Sequence, residues 1–250
     1  MKRIRPAFEK EVIARYLANE YYQHEFNRDR LAFEHLILEP NLENPTENAI
    51  RRALFCRRRG HLWRELPEPT EWHEVELEGV DFSRIRVFPR FPWNALGADD
   101  LLINSIVQRI RSGRPQYQKR LLAKIHSVAY RLRSERTRRS AVMLVGIDER
   151  HPFTILEGNH RLTAAMLISA EIVPSRFQVF CGFSRQMNDC CWYDSNFRSL
   201  LHYAVNRLRN LWHNCDADLP RLHLPLGPNG LVTSLSTGDD PLMPFSVERE

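Results

Sequence analysis

Three features of the sequence predict an α+β fold: helical periodicity through the first sixty residues, short apolar runs bounded by turn residues between 72 and 181, and a strand-to-helix junction at 157–161. The chain has 250 residues, 43% hydrophobic and 27% charged, a balance that buries a core and still dissolves. Disorder is thereby excluded as the whole answer. The longest apolar stretch near the middle runs from 141 to 145, against the roughly 18 residues that cross a bilayer. Met1-Lys2-Arg3-Ile4-Arg5-Pro6 leads into mixed charged sequence instead of an apolar signal core, so a soluble, cytoplasmic protein is expected, with no membrane partner. Five cysteines are an odd number in a chain long enough to do without staples, and adjacent Cys190 and Cys191 lack zinc-ligand spacing. They read as small buried hydrophobes.

In the first region, 1–66, Val12, Tyr16, Leu17 and Tyr21 recur at helical spacing, and a second helix is predicted from Thr46, after Pro45, to Gly60. Arg57, Arg58 and Arg59 close it, cations being favourable near C-terminal carbonyls. Leu66-Pro67-Glu68-Pro69-Thr70 holds the chain extended and is the expected domain boundary. A second domain is expected over 72–215. The last stretch, 216–250, is rich in proline and glycine and reads as an irregular tail.

Within the second domain, Trp72, Val75 and Leu77, then Ile85, Val87 and Phe88, read as short strands flanking Gly79. A helix follows from Leu101 to Arg111, ending at Gly113. Tyr117, Leu121, Ile125, Val128 and Leu132 trace one face of the next, with Lys119, Arg120, Lys124 and Arg131 directed elsewhere. Residues 141–147 are too short an apolar run for a buried helix and predict a strand; 148–152 turn the chain, and 153–156 form a second strand. Leu162, Ala165, Met166 and Ser169 then mark a helix, and 176–181 a returning strand. Phe197, Leu200, Leu201, Ala204, Val205, Leu208 and Trp212 predict an amphipathic helix packed on the core.

The formal net charge is +5, yet 109–139 holds eleven basic residues against one acid, Glu135, so that segment carries +10 and the remainder −5. Such an excess is costly unless an anion or an acidic surface lies against it. Nucleic acid or another phosphate is the candidate partner of this segment, and a solvated helix face is the alternative.

At 157–161 the sequence reads Glu-Gly-Asn-His-Arg. The free amides and dipole of a helix's first turn make an anion site. Gly158 lets backbone approach a ligand, Asn159 and His160 donate hydrogen bonds, and Arg161 grips phosphate with two parallel bonds. Glu157, at the strand's end, can hold Mg²⁺ or take a proton from an attacking hydroxyl. The alternative is structural: Glu157 pairs with Arg161 at spacing four, Gly158 is a turn residue and His160 a polar helix start.

Leu156-Glu157-Gly158-Asn159-His160-Arg161-Leu162-Thr163-Ala164-Ala165 resembles the signature of the ParB/sulfiredoxin-like superfamily, whose members carry Gly-x-x-Arg between a strand and a helix. Sulfiredoxins have Gly-Cys-His-Arg there; the free-serine kinases have Asp-Gly-His-His-Arg, which this chain is closest to in form. The resemblance covers about 72–181, and residues 104–113 are similar to the helix that ParB-type domains place upstream. It implies a mixed sheet with helices, a site for ATP, ADP or CTP with Mg²⁺, Glu157 as catalytic or metal-binding carboxylate, and Gly158, His160 and Arg161 as phosphate ligands. Asn159 stands where sulfiredoxins need cysteine, which argues against sulfinic-acid reduction. The kinases draw a second carboxylate from the first strand; Asp81 and Glu78 are the nearest here. The expected activity is a Mg-dependent phosphotransferase or NTPase acting on a small hydroxylated metabolite, with a ParB-type DNA-binding protein or nuclease as the alternative.

His151-Pro152-Phe153 followed by Glu157-Gly158-Asn159 and Arg161 is also similar to the Fic motif of AMP transferases. The gap from Phe153 to Gly158 is two residues longer than in that motif, His160 replaces a glycine, and the Fic fold is all helical, whereas 141–147 predicts a strand.

Overall fold

A computed structural model describes residues 1–23, 26–27, 30–89, 91–96, 100–113, 118–134 and 139–212. The predicted tail, 216–250, lies outside the described residues, as do Arg114, Tyr117, Glu135, Arg136 and Arg138 of the basic segment.

The fold is α+β, built on one six-stranded mixed sheet. Its strands are β1 (Lys2–Pro6), β2 (Glu71–Glu76), β3 (Ile85–Arg86), β4 (Ser140–Gly146), β5 (Phe153–Glu157) and β6 (Phe177–Phe183), in the spatial order β1-β2-β6-β4-β5-β3. The β4–β6 and β3–β5 pairs are parallel and the other three antiparallel. The helices are α1 (Glu9–Glu20), α2 (Arg30–Leu38), α3 (Pro45–Trp63), α4 (Phe91–Leu96), α5 (Ile103–Arg111), α6 (Lys119–Ser134), α7 (Asn159–Ile168), α8 (Val173–Arg176) and α9 (Phe197–Trp212). No helix among the described residues is long and apolar enough to cross a membrane.

Central β4 explains the layering. Ala141, Met143 and Val145 join a cluster with Val12, Tyr16 and Leu17 of α1 and Leu54 and Phe55 of α3. Val142 and Leu144 point the other way, to Ile106 of α5, Ile125 of α6 and Leu162 of α7. A strand covered on both faces has no polar positions to alternate with, which is why its sequence is one short apolar run.

Residues 1–66 are not wholly helical. Lys2–Pro6 adds an edge strand to the sheet, antiparallel to β2. Nor is packing broken at the proline pair: Trp63 at the end of α3 stacks on Trp72 of β2, ring centroids 5.0 Å apart, and both belong to the cluster that includes β4. α3 starts where expected, one residue early: Asn44 accepts hydrogen bonds from the amides of Thr46 (3.0 Å) and Glu47 (3.3 Å), with Pro45 in the first turn. Buried Arg51 ties α3 to α2, donating to the carbonyls of Leu36 (2.9 Å) and Asn41 (2.8 Å).

One expectation is overturned by packing. α9 does not bury its apolar face; Phe197, Leu200, Leu201, Val205 and Leu208 are exposed, Phe197 at 83%. Both faces of the sheet are already covered, and α9 meets the body through its other side, where Asn206 donates to Glu65 at 3.2 Å and Tyr203 packs edge-on against Trp192. Cys56, Cys181, Cys190 and Cys191 are buried; Cys215 lies outside the described residues.

Candidate functional site

β4 and β5 form an antiparallel pair in which Met143 stands opposite Glu157, so the chain leaves β5 beside the start of β4 and enters α7 at once. Gly158 makes the turn at φ +103°, in the left-handed region that side chains disfavour. An added Cβ would lie 3.0 Å from Cγ2 of Val142. The missing side chain therefore faces β4, so backbone conformation and packing both favour glycine here. The first turn of α7 has no side-chain cap among the described residues.

A cavity of about 660 Å³ opens at this end of the sheet. Every residue of 157–161 lines it. So do Arg15, Glu20 and Arg59 from the α1 and α3 side, Lys124 and Arg131 from α6, and Arg139 and Arg176 where β4 and β6 begin. Seven lining side chains are Arg or Lys and two, Glu20 and Glu157, are carboxylates. The wall thus has a strong positive excess, which low-dielectric surroundings focus.

Arg161 joins the two acids. Its Nη1 donates to Glu20 at 3.0 Å, and its Nη2 to Glu157 at 3.5 Å and to the Ala141 carbonyl at 3.3 Å. Its Nε is buried with no partner among the described residues. The structural alternative for Glu157 and Arg161 is therefore realised, but inside a cavity instead of on the surface. Glu157 also accepts the Gly158 amide at 2.9 Å. Burial raises the Glu157 carboxyl above the ordinary range, the Glu20 charge adds to this, and Arg161 and Arg59 oppose it.

Asn159 turns its Oδ1 away to the Phe88 amide, at 2.8 Å, and so fixes the segment after β3 to the start of α7. His160 packs against Trp93 with ring centroids 5.2 Å apart. Burial, then the charges of Lys124 and Arg161, push its pKa down to about 4, which favours the neutral imidazole with one N–H near neutral pH.

Neither Asp81 nor Glu78 is among the cavity-lining residues. Asp81 is fully buried, accepting the Glu78 amide at 2.8 Å and pairing with Arg84 at 2.5 Å. The second carboxylate at the site is Glu20. Its one signal in the sequence is an acid in the last turn of a helix, where the dipole disfavours it and no basic residue balances it. His151 sits on the exposed β4–β5 turn, bonded to Asp148 at 2.7 Å, beyond the end of β5 opposite to Glu157, a strand about 13 Å long.

The described residues hold no cluster of three or more His, Cys, Asp or Glu arranged for a metal. Two carboxylates do fit Mg²⁺, which is commonly held by one or two carboxylates together with the oxygens of a bound phosphate chain. Comparison of the chain with protein-family models, with curated proteins and with solved structures finds no match.

Proposed function

We propose that the chain binds a nucleoside di- or triphosphate with Mg²⁺ in the cavity beside Gly158 and transfers or hydrolyses a phosphoryl group, on a fold of the ParB/sulfiredoxin-like kind. The observation that carries this reading is a cavity lined by seven cations and two carboxylates together with the uncapped first turn of α7. Phosphate oxygens suit the free amides of that turn. They also suit the buried Nε of Arg161, a donor whose isolation costs about 1–3 kcal/mol. Bound Mg²⁺ would supply charge neutralisation on the phosphate chain, with Glu20 as the carboxylate that would hold it.

Glu157 is the proton acceptor. A carboxylate whose pKa is raised by burial is a better base near neutrality than an ordinary one. As the attacking hydroxyl oxygen bonds to phosphorus and the bond to the leaving phosphate oxygen breaks, the hydroxyl proton passes to Glu157. Arg161 fixes the orientation of that carboxylate against Glu20.

The test is a thermal-shift screen with ATP, ADP, CTP and GTP in the presence of Mg²⁺. A bound nucleotide raises the melting temperature, and no rise with any of them removes the reading. Glu157→Gln should retain that shift and lose turnover by about 100-fold or more, the usual worth of a positioned base. An active Gln variant would remove Glu157 from catalysis.

A further inference from the structure

We infer that α9 docks the protein on an anionic lipid surface, lying in the headgroup layer without crossing it. The expectation of no membrane partner rested on the lack of a spanning segment, and α9, sixteen residues and about 24 Å long, does not span. A helix that lies in the interface has other needs: an outward apolar stripe and cations beside it. α9 has both.

At 3.6 residues per turn, Leu200, Ala204, Phe197, Leu208, Leu201 and Val205 follow one another around an arc of about 140°. Phe197, Leu200, Leu201 and Leu208 are each at least half exposed. The opposite side of the helix is the one the body holds. There buried Ser199 donates to the Asp194 carbonyl at 2.6 Å, Tyr203 meets Trp192 edge-on, and Asn206 donates to Glu65. These three residues fall within about 60° of one another. Contacts on the back of α9 therefore hold its stripe facing outward.

Charge selects the occupant. Arg198, exposed, comes about 20° past Val205 at one edge of the stripe, and Arg207, half-buried, about 20° past Leu200 at the other. Neither has a hydrogen bond or ion pair among the described residues. The sixteen residues of α9 include three arginines and no acid. Arginine stems extend apolar surface while their heads reach for phosphate. In a second copy of the chain the same arginines would meet their own kind across a helix pair, with no acid in α9 to answer them. A stripe about 24 Å long and about 10 Å wide also amounts to a few hundred Å², short of the roughly 800 Å² per partner of a stable interface. A leaflet of anionic lipid accepts a stripe of this size and supplies the missing negative charge.

Co-sedimentation of the full chain with phosphatidylcholine vesicles, pure or with about 30% phosphatidylserine, tests this. The anionic vesicles should bind about tenfold tighter or more. Leu201→Glu with Leu208→Glu should weaken that binding by about 100-fold or more while the melting temperature stays near wild type, both side chains being exposed. If that pair fails to fold, Leu201→Gln with Leu208→Gln replaces it, with an expected loss of about tenfold or more. Arg198→Gln with Arg207→Gln should weaken binding to the anionic vesicles by about 25-fold, at about fivefold per arginine, and leave binding to the neutral ones unchanged. No binding to the anionic vesicles, or equal binding to both kinds, overturns the inference. Full binding by the leucine variant also does, since the contact would then lie on another basic element such as α6. A dimer in sedimentation equilibrium that the leucine variant dissolves gives the stripe to a second copy and overturns it too.

Discussion

Two titrating residues at the cavity have opposite pH signatures. Glu157 has its carboxyl raised above the reference value of 4.5, so the folded state holds its proton more tightly than the unfolded chain does. Its contribution is present below 4.5 and is lost as pH rises through the folded pKa. His160 is depressed from 6.5 to about 4, so the unfolded chain binds the extra proton between those values, and stability is lost as pH falls from 6.5 toward 4. Melting temperatures of the wild type, Glu157→Gln and His160→Gln between pH 4 and 8 separate the two. The His160 variant should lose less stability than the wild type on acidification across 6.5 to 4, and the Glu157 variant should lose less as pH climbs above 4.5. Curves parallel to the wild type would mean the burial assigned to these groups is wrong. The junction residues were legible in the sequence because strand, glycine and helix signals meet there. Glu20 was not, because only the tertiary fold brings the end of α1 to Arg161.

At the scale of elements, the turn into α7 depends on one backbone angle. Gly158→Ala must place a Cβ at φ +103° and against Val142 together, and should destabilise by about 2 kcal/mol, read as a shift in denaturation midpoint at constant slope. An alanine variant of wild-type stability would show that the turn relaxes freely. The strands β4, β5 and β6 and helix α7 were readable because burial on both sides of a sheet leaves short apolar runs flanked by turn residues. β1 was not: all five of its residues are exposed and mostly charged, and its strand conformation comes from pairing with β2. α9 was recognised as amphipathic, but periodicity reports that a stripe exists and not which side of it meets the protein.

For the whole molecule, the two hydrophobic clusters lie on opposite faces of the same sheet, and β4 contributes to both. The proline pair between α3 and β2 looked like a boundary because a stiff extended segment is also how linkers read. Here Trp63 and Trp72 close over it. Residues 1–66 and the segment after them should therefore unfold together. Calorimetry should give one transition whose van't Hoff and calorimetric enthalpies agree, and two separated transitions would mark a boundary at the proline pair.

The contact between Glu20 and Arg161 spans 141 positions of chain. Its consequence is that the five-residue signature is not portable. Grafted onto another scaffold without α1, the same letters would present a guanidinium stripped of one counter-ion and a carboxyl stripped of its neighbour. A search that scores the signature alone would accept such a graft as complete.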